Sequence, residues 1–190
     1  MSKYQIVYAD PPWDYKGQQQ TGKKKQLTGG AIVHYETMTS LEMQSHYRPF
    51  FDENTEKDCL LFMWTSSPHL DQAIDLGKAW GFKYATVAFV WYKQKTNPGF
   101  YTMSQCELCL VFKKGKIPKP RGARNIRQLV SELRREHSRK PDEVRERIEK
   151  MFPTQKKLEM FARITVPGWD TYGNEVEKYN KEKVQVQLDI

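Results

Sequence analysis

The chain has 190 residues, with 31 Lys or Arg against 23 Asp or Glu, so its formal net charge is +8 at pH 7. This length predicts one domain with a real hydrophobic core and is too short for two. No apolar stretch approaches a membrane span or a signal sequence, and the three cysteines lack disulfide-framework spacing, so we expect a cytoplasmic protein without membrane contact.

The first predicted element is a strand from Tyr4 to Ala9, a run of β-branched and aromatic residues. Pro11 and Pro12 cannot continue a hydrogen-bonded ladder, so the strand must end at Asp10. The Asp10 carboxylate therefore lies at the carboxyl end of a strand, where open α/β sheets bind their ligands. The two prolines also hold the carbonyls of Asp10 and Pro11 in fixed directions and present Trp13 beside them.

This junction has the groups needed to methylate the exocyclic amino group of a planar base such as adenine. The lone pair of that nitrogen is delocalised into the ring, which makes the nitrogen a poor nucleophile. The Asp10 carboxylate and the Pro11 carbonyl would accept its two N–H hydrogens and stabilise the positive charge that develops on nitrogen. The indole of Trp13 would stack on the base. The alternative interpretation is a surface loop with a proline pair.

The rest of the chain predicts alternating helices and strands after a polar loop at residues 16–30. At residues 126–130 a helix is the alternative to a strand. This order predicts a mainly parallel sheet with right-handed crossovers in an α/β domain. The predicted elements are a helix at 40–47, a strand at 59–64, a helix from Ser67-Pro68 to Gly81, strands at 85–91, 106–112 and 126–130, a helix beginning at Pro141 and a strand at 157–164.

At these positions the chain resembles the MT-A70 family of adenine N6-methyltransferases, which includes the catalytic subunit of the eukaryotic messenger-RNA adenosine methyltransferase and many bacterial and phage enzymes. The resemblance covers nearly the whole chain. Besides Ala9 to Trp13, the matching motifs are Tyr35-Glu36-Thr37-Met38, Leu61-Phe62-Met63-Trp64-Thr65, Trp80-Gly81-Phe82, Glu107 with Leu110-Val111, Lys114-Gly115, Lys140-Pro141-Asp142-Glu143, Phe161-Ala162-Arg163, Trp169 and Gly173-Asn174-Glu175.

The resemblance implies a Rossmann-like methyltransferase fold that uses S-adenosyl-L-methionine. In the family this fold is circularly permuted, so that the catalytic strand comes first and the cofactor-binding strand last. It implies a single methyltransferase domain over residues 1–176 and a carboxy-terminal tail over 177–190. Asp10, Pro11, Pro12 and Trp13 are then the catalytic motif, and no metal is expected.

The resemblance also assigns residues to the cofactor and to the acceptor base. Arg163, Asn174 and Glu175 are implied to hold the ribose and methionine portions of the cofactor, together with Asp10. The residues implied around base and cofactor are Tyr35, Glu107 and Lys114. From the pattern alone, an exposed strand-end charge is the alternative for Arg163, and a solvent-facing strand residue is the alternative for Glu107.

A basic segment follows the strand at 106–112 and indicates a polyanionic partner. Residues 113–127 contain no acid and seven basic residues, which are Lys113, Lys114, Lys116, Lys119, Arg121, Arg124 and Arg127. With Lys23, Lys24 and Lys25 they would bind nucleic acid phosphates on either side of the catalytic mouth, although a solvated loop is the alternative. DNA is favoured over RNA because small stand-alone members of the family resemble bacterial and phage enzymes, and a homodimer or a partner subunit stays open.

Three other functions compete with methyl transfer. His34 to Glu36 and Cys106 to Cys109 echo the signature of zinc nucleobase deaminases, but cysteines three apart on a strand face opposite sides. Residues 17–23 match a phosphate loop, yet Lys24 stands where a Ser or Thr should bind magnesium. A non-enzymatic binding subunit would be expected to have a damaged Asp-Pro-Pro-Trp motif, which here is intact.

Overall fold

The computed structural model describes residues 2–13, 40–99, 101–135 and 139–173. The strands are β1 (Tyr4–Ala9), β2 (Thr55–Thr65), β3 (Lys83–Asn97), β4 (Ser104–Lys114), β5 (Leu129–Ser131), β6 (Lys157–Met160) and β7 (Asp170–Tyr172). The α-helices are α1 (Ser40–Asn54), α2 (Leu70–Ala79) and α3 (Asp142–Met151).

The strands form one sheet in the order β5-β3-β4-β2-β1-β6-β7. The two pairings of β4 are antiparallel, and all the other described pairings are parallel. This confirms the predicted mainly parallel α/β sheet. β1 is an interior strand, with β2 on one side and β6 on the other, so its carboxyl end is flanked by two parallel neighbours. Such a position is where ligands bind in open α/β sheets.

Both faces of the sheet are covered, because alternate residues of the central strands are apolar on each side. Val7 and Ala9 of β1 pack in a core with residues of α1 and α2, such as Met43 and Leu76. Ile6 and Tyr8 point to the other face and pack in a second core with α3, whose Val144 and Ile148 are fully buried. The described helices thus form one layer on each side of the sheet.

Several elements end elsewhere than predicted, for local reasons. β6 stops at Met160 and not at residue 164, because the backbone of Phe161 turns with a positive φ of 59° that no strand can continue. α1 continues through Pro49 to Asn54, since Phe51 is fully buried in the core. β5 covers 129–131 in place of 126–130, and the short polar strand β7 was not predicted. The predicted tail at 177–190 lies outside the described residues.

None of the helices in the described ranges is both long enough and apolar enough to cross a membrane.

Candidate active site

Charged side chains from four segments of the chain meet at the carboxyl end of β1. Lys140 Nζ lies 3.0 Å from Asp10 Oδ1 and 3.2 Å from Glu107 Oε2, and Glu107 Oε1 lies 3.3 Å from Lys93 Nζ. Their side chains are only 6–24% exposed. Buried charges are tolerated when they are paired, and here two carboxylates face two ammonium groups. We call these four residues, Asp10, Lys93, Glu107 and Lys140, the charge network.

The sheet explains why Glu107 reaches this edge. β4 runs antiparallel to β2, and Leu108 pairs with Thr65, the last residue of β2. The residue before Leu108 therefore lies at the carboxyl edge of the neighbouring parallel strands. The alternative that Glu107 faces solvent is wrong, since its side chain is 16% exposed and contacts two lysines.

Glu107 is held in its ionised form. Burial alone would raise the pKa of this carboxyl, but the ammonium groups of Lys140 and Lys93 outweigh burial and lower the pKa below its ordinary value. The Lys140 ammonium also lies 5.8 Å from the centroid of the Trp64 ring, on the floor of the site. Glu107 is thus held as a carboxylate between its two lysine partners.

The Asp-Pro-Pro-Trp segment is fixed by Trp13. Its indole N–H donates to the Trp64 carbonyl at 3.1 Å, and its backbone N–H donates to the Pro11 carbonyl at 2.9 Å. The ring stacks on His69, with centroids 6.0 Å apart, and His69 Nδ1 lies 2.9 Å from Ser66 Oγ. The prolines thus have a rigid anchor on the end of β2.

This position corrects the role expected for Trp13. The residue is 4% exposed and belongs to the core, so its ring is not an open surface on which a base could stack. The Pro11 carbonyl already accepts the Trp13 N–H, which leaves one lone pair of that oxygen for a second donor.

Lys114 is not brought to the site. It pairs with Cys59 near the start of β2, six residues along β4 from the pair of Leu108 with Thr65. Six residues of strand span about 20 Å, so Lys114 lies toward the amino-terminal ends of the parallel strands, away from the ends that carry Asp10. There its ammonium donates to Thr55 Oγ1 at 3.2 Å. The expectation that Lys114 contacts cofactor and base is therefore corrected, because β4 is antiparallel.

The basic segment after β4 also lies away from Asp10. The N–H groups of Gly122 and Ala123 donate to the carbonyls of Met151 and Lys150 at the end of α3. This end of α3 leads into the start of β6, and so it lies at the amino-terminal ends of the parallel strands, whereas Asp10 lies at their carboxyl ends. The segment that carries Lys116, Lys119, Arg121 and Arg124 therefore caps the end of α3. Its backbone contacts hold it far from Asp10, so these four side chains do not lie beside the catalytic site, where their charge led us to expect them.

Other predicted residues have different outcomes. Arg163 is half-buried and follows the carboxyl end of β6, on the same edge as Asp10, so it is not an exposed strand-end charge. Tyr35, Asn174 and Glu175 lie outside the described residues, as do Lys23 to Lys25, His34 to Glu36 and the phosphate-loop match at 17–23.

Gly173 brings the chain close to the end of β6. A Cβ on this residue would lie 2.5 Å from the Ala162 carbonyl oxygen and 2.7 Å from the Ala162 nitrogen. The Ala162 N–H donates to the Tyr172 carbonyl at 3.3 Å. Only glycine allows this approach, which holds residue 173 against the backbone that follows β6.

Sequence analysis missed Lys140 and Lys93 as members of the site. Lys140 belongs to the Lys-Pro-Asp-Glu motif, which we matched to the family and interpreted as the start of a helix without assigning Lys140 a role. Its position directly before a helix that starts at the carboxyl edge is the signal that would have identified it. No signal marked Lys93, because its neighbour Glu107 is on another strand.

The cysteines of the deaminase-like motif are both on β4, as predicted. Cys109 is fully buried in the core on the α3 side, and Cys106 is half-buried three residues earlier. Their side chains thus point to opposite faces. In the part of the chain that the structure describes, no group of three or more His, Cys, Asp or Glu side chains could hold a metal ion.

Comparison with known proteins agrees with this architecture. The MT-A70 family profile matches residues 4–175. Type II methyltransferase M.MunI from Mycoplasma sp is 48% identical over 199 residues, which cover 99% of this chain and 84% of that protein. The putative N(6)-adenosine-methyltransferase MT-A70-like protein of Medicago truncatula is 29% identical, over 93% of this chain and 27% of its own length. The human N(6)-adenosine-methyltransferase catalytic subunit METTL3 is 26% identical, over 93% and 29%. The chain belongs to the MT-A70 family.

Proposed function

We propose that this protein is an S-adenosylmethionine-dependent methyltransferase that methylates the N6 amino group of adenine in DNA. The observation that carries the proposal is the Asp10 carboxylate, fixed at the carboxyl end of β1 by Lys140 at 3.0 Å and followed by two prolines. The N6 position is supported by the relatives named as N(6)-adenosine-methyltransferases. DNA is preferred to RNA because the type II methyltransferase, at 48% identity, is much more similar to this chain than those relatives are.

The donor set at the site fits the methionine portion of S-adenosylmethionine, which has a carboxylate and an ammonium group. The Lys140 ammonium would bind that carboxylate, and Asp10 would accept hydrogen bonds from that ammonium. Arg163, Asn174 and Glu175 are the residues we propose for the ribose and the rest of the methionine portion. This arrangement corresponds to the permuted order, with the catalytic strand first and the cofactor-binding segment last. When bound, the cofactor supplies an electrophilic methyl group on sulfonium.

The protein groups act on the amino nitrogen of the acceptor base. Asp10 Oδ1 is directed at Lys140, which leaves Oδ2 to accept one N–H, and the free lone pair of the Pro11 carbonyl would accept the other. Both acceptors stabilise positive charge that develops on nitrogen as it attacks the methyl group. Glu107 neutralises part of the positive charge of Lys140. The negative charge of Asp10 therefore still acts on the amino nitrogen. After transfer, the methylated nitrogen loses one proton to solvent.

Positioning supplies the remaining catalysis. Trp13 and His69 hold the Pro-Pro segment on the end of β2, so the Pro11 carbonyl does not need to reorganise during the reaction. Because Trp13 is buried, we propose Tyr35 in its place as the aromatic residue that contacts the base.

The test is transfer of labelled methyl groups to matched adenine-containing DNA and RNA, followed by digestion and mass spectrometry of the nucleosides. We expect N6-methyladenine in DNA with the wild-type protein and none with Asp10→Ala, which should still bind nucleic acid. Asp75→Ala is the matched control, because Asp75 is an exposed carboxylate on α2.

Each outcome discriminates between functions. Activity retained by Asp10→Ala would disprove the assignment of the site, and a strong preference for RNA would move the substrate from DNA to RNA. Cofactor binding by the wild-type protein without any transfer would favour the competing role as a catalytically inactive binding subunit.

A further inference from the structure

A two-stranded ribbon projects from the sheet beside the candidate active site. The pairing of β4 with β2 ends at Leu108 with Thr65, whereas its pairing with β3 continues outward to Ser104 with Asn97. Residues 92–99 and 101–106, here called the ribbon, therefore extend beyond the carboxyl edge of β2. The residue after the ribbon is Glu107 of the charge network.

The base of the ribbon contacts the charge network. Lys93, at its start, is 5% exposed and lies 3.3 Å from Glu107. Gln94 has a positive φ of 56° in a region where the β3–β4 register shifts, and its side-chain amide donates to Ser131 Oγ at 3.0 Å. Register shifts, of which β-bulges are the commonest kind, bend a strand pair. The ribbon is thus anchored to the same network that holds Asp10.

The outer part of the ribbon has an unusual surface. Tyr101 is fully exposed and Met103 is 58% exposed, although large apolar side chains are normally buried. The ribbon contains no acidic residue, and Lys95 is exposed on it. A basic element with an exposed aromatic ring at its end is complementary to a nucleic acid, which offers phosphates and the flat faces of bases.

We propose that the ribbon binds duplex DNA beside the target adenine, and that the Tyr101 ring occupies the gap that this adenine leaves when it rotates out of the helix. This inference rests on the proposed function. A two-stranded ribbon fits the major groove, which is about 12 Å wide. A base inside a duplex cannot reach a site such as Asp10 without leaving the stack, and proteins stabilise disrupted steps with inserted apolar or aromatic side chains.

Tyr101 therefore acts on base extrusion and not on methyl transfer itself. Its contribution is needed when the target adenine is paired and stacked. The contribution disappears when the adenine lies opposite an abasic position, because base pairing and stacking at this position are then already disrupted. This difference separates the proposed role from a general loss of folding or of DNA affinity.

The experiment uses the full protein and an adenine first located by mapping N6-methyladenine in plasmid DNA that the wild-type protein has modified. Two duplexes are compared, one with this adenine paired to thymine and one with it opposite an abasic position. We expect Tyr101→Ala to lower kcat/KM about tenfold to a hundredfold on the paired duplex and at most about threefold on the abasic duplex. Tyr101→Phe should remain near wild type on both, since it keeps the ring.

The matched control is Ile117→Ala, which removes another exposed apolar side chain, on the segment after β4 at the opposite edge. It should not change kcat/KM on either duplex. An equal loss for Tyr101→Ala on both duplexes, or no loss on the paired duplex, would overturn the proposal.

A failure of the proposed function would look different, because the wild-type protein would then transfer no methyl group to any duplex. In that case fluorescence anisotropy with a short labelled duplex still tests the ribbon. Weaker binding by Tyr101→Ala than by Ile117→Ala would support DNA binding by the ribbon, and equal binding would overturn DNA binding by the ribbon. Transfer to RNA alone would overturn both the substrate assignment and the role of the ribbon.

Discussion

The Lys140 ammonium lies 3.0 Å from Asp10 Oδ1, although Asp10 follows the first strand and Lys140 comes in the second half of the chain. Their meeting depends on β6, which pairs with β1 and follows α3, so that the start of α3 lies over the carboxyl end of β1. The carboxylate proposed to contact the amino nitrogen is therefore positioned by a residue that also has the charge needed to bind the cofactor carboxylate.

Replacing Lys140 by Met should weaken cofactor binding more than it slows the chemical step. The variant loses a charge-assisted hydrogen bond worth about 1.5–3 kcal/mol, so we expect the KM for S-adenosylmethionine to rise about tenfold to a hundredfold. Initial rates at varied cofactor concentration and calorimetric binding would measure this. Lys140→Arg should recover part of the affinity.

The surface variant Lys78→Met is the control for this change, because Lys78 pairs with Asp75 at an exposed position on α2. An unchanged KM in Lys140→Met would show that the ammonium only orients Asp10 and does not contact the cofactor.

The predictability of this site from sequence differs from residue to residue. Asp10 could be placed at a strand end because the signal is local: an apolar run followed by two prolines. Lys114 was misplaced because the direction of β4 depends on which strands it pairs with, and no local pattern encodes that choice. The position of the basic segment could not be predicted either. The backbone N–H groups of Gly122 and Ala123 attach it to α3, and its charged side chains do not.

The ionised state of Glu107 predicts a pH dependence of stability. Because Lys140 and Lys93 lower the pKa of Glu107 despite its burial, the folded protein binds this proton less tightly than the unfolded chain does. Its contribution to stability is therefore present above the unfolded pKa of about 4.3, and it is lost as the pH falls through the folded pKa. Urea unfolding of the wild-type protein and Glu107→Gln from pH 7 down to about pH 3 would measure it.

We expect Glu107→Gln to be less stable at pH 7 by about 1–3 kcal/mol, since Lys93 is then buried without a counter-charge. The free-energy difference between the two proteins should shrink as the solution becomes acidic. Parallel stability curves would contradict the lowered pKa.

The three cysteines should differ in reactivity with iodoacetamide. Burial raises the pKa of Cys59 to about 12 and that of Cys109 well above its ordinary value, so neither forms the reactive thiolate in the folded protein at pH 8. Cys106 is half-buried and should be alkylated first. Peptide mass spectrometry after timed labelling would give the order. In urea all three should react, and labelling of native Cys109 as fast as Cys106 would contradict its burial.

Gly173→Ala should disturb the cofactor site through the backbone. The added Cβ meets two backbone atoms of Ala162 within 2.7 Å, so the segment that leads to Asn174 and Glu175 must move. Overpacking of this kind costs about 1–3 kcal/mol of stability. Because we propose that these two residues hold the cofactor, we also expect the KM for S-adenosylmethionine to rise, as measured by initial rates beside a thermal unfolding scan.

Gly77→Ala separates the local effect from general destabilisation. Gly77 lies in α2, where an added Cβ would overlap the buried ring of Phe112 and push the helix from the sheet. This clash outweighs the helix propensity of alanine, worth about 1 kcal/mol, so Tm should fall here as well. The KM for the cofactor should not change, because α2 is not part of the charge network. An equal rise of KM in both variants would mean that Gly173 acts only through stability.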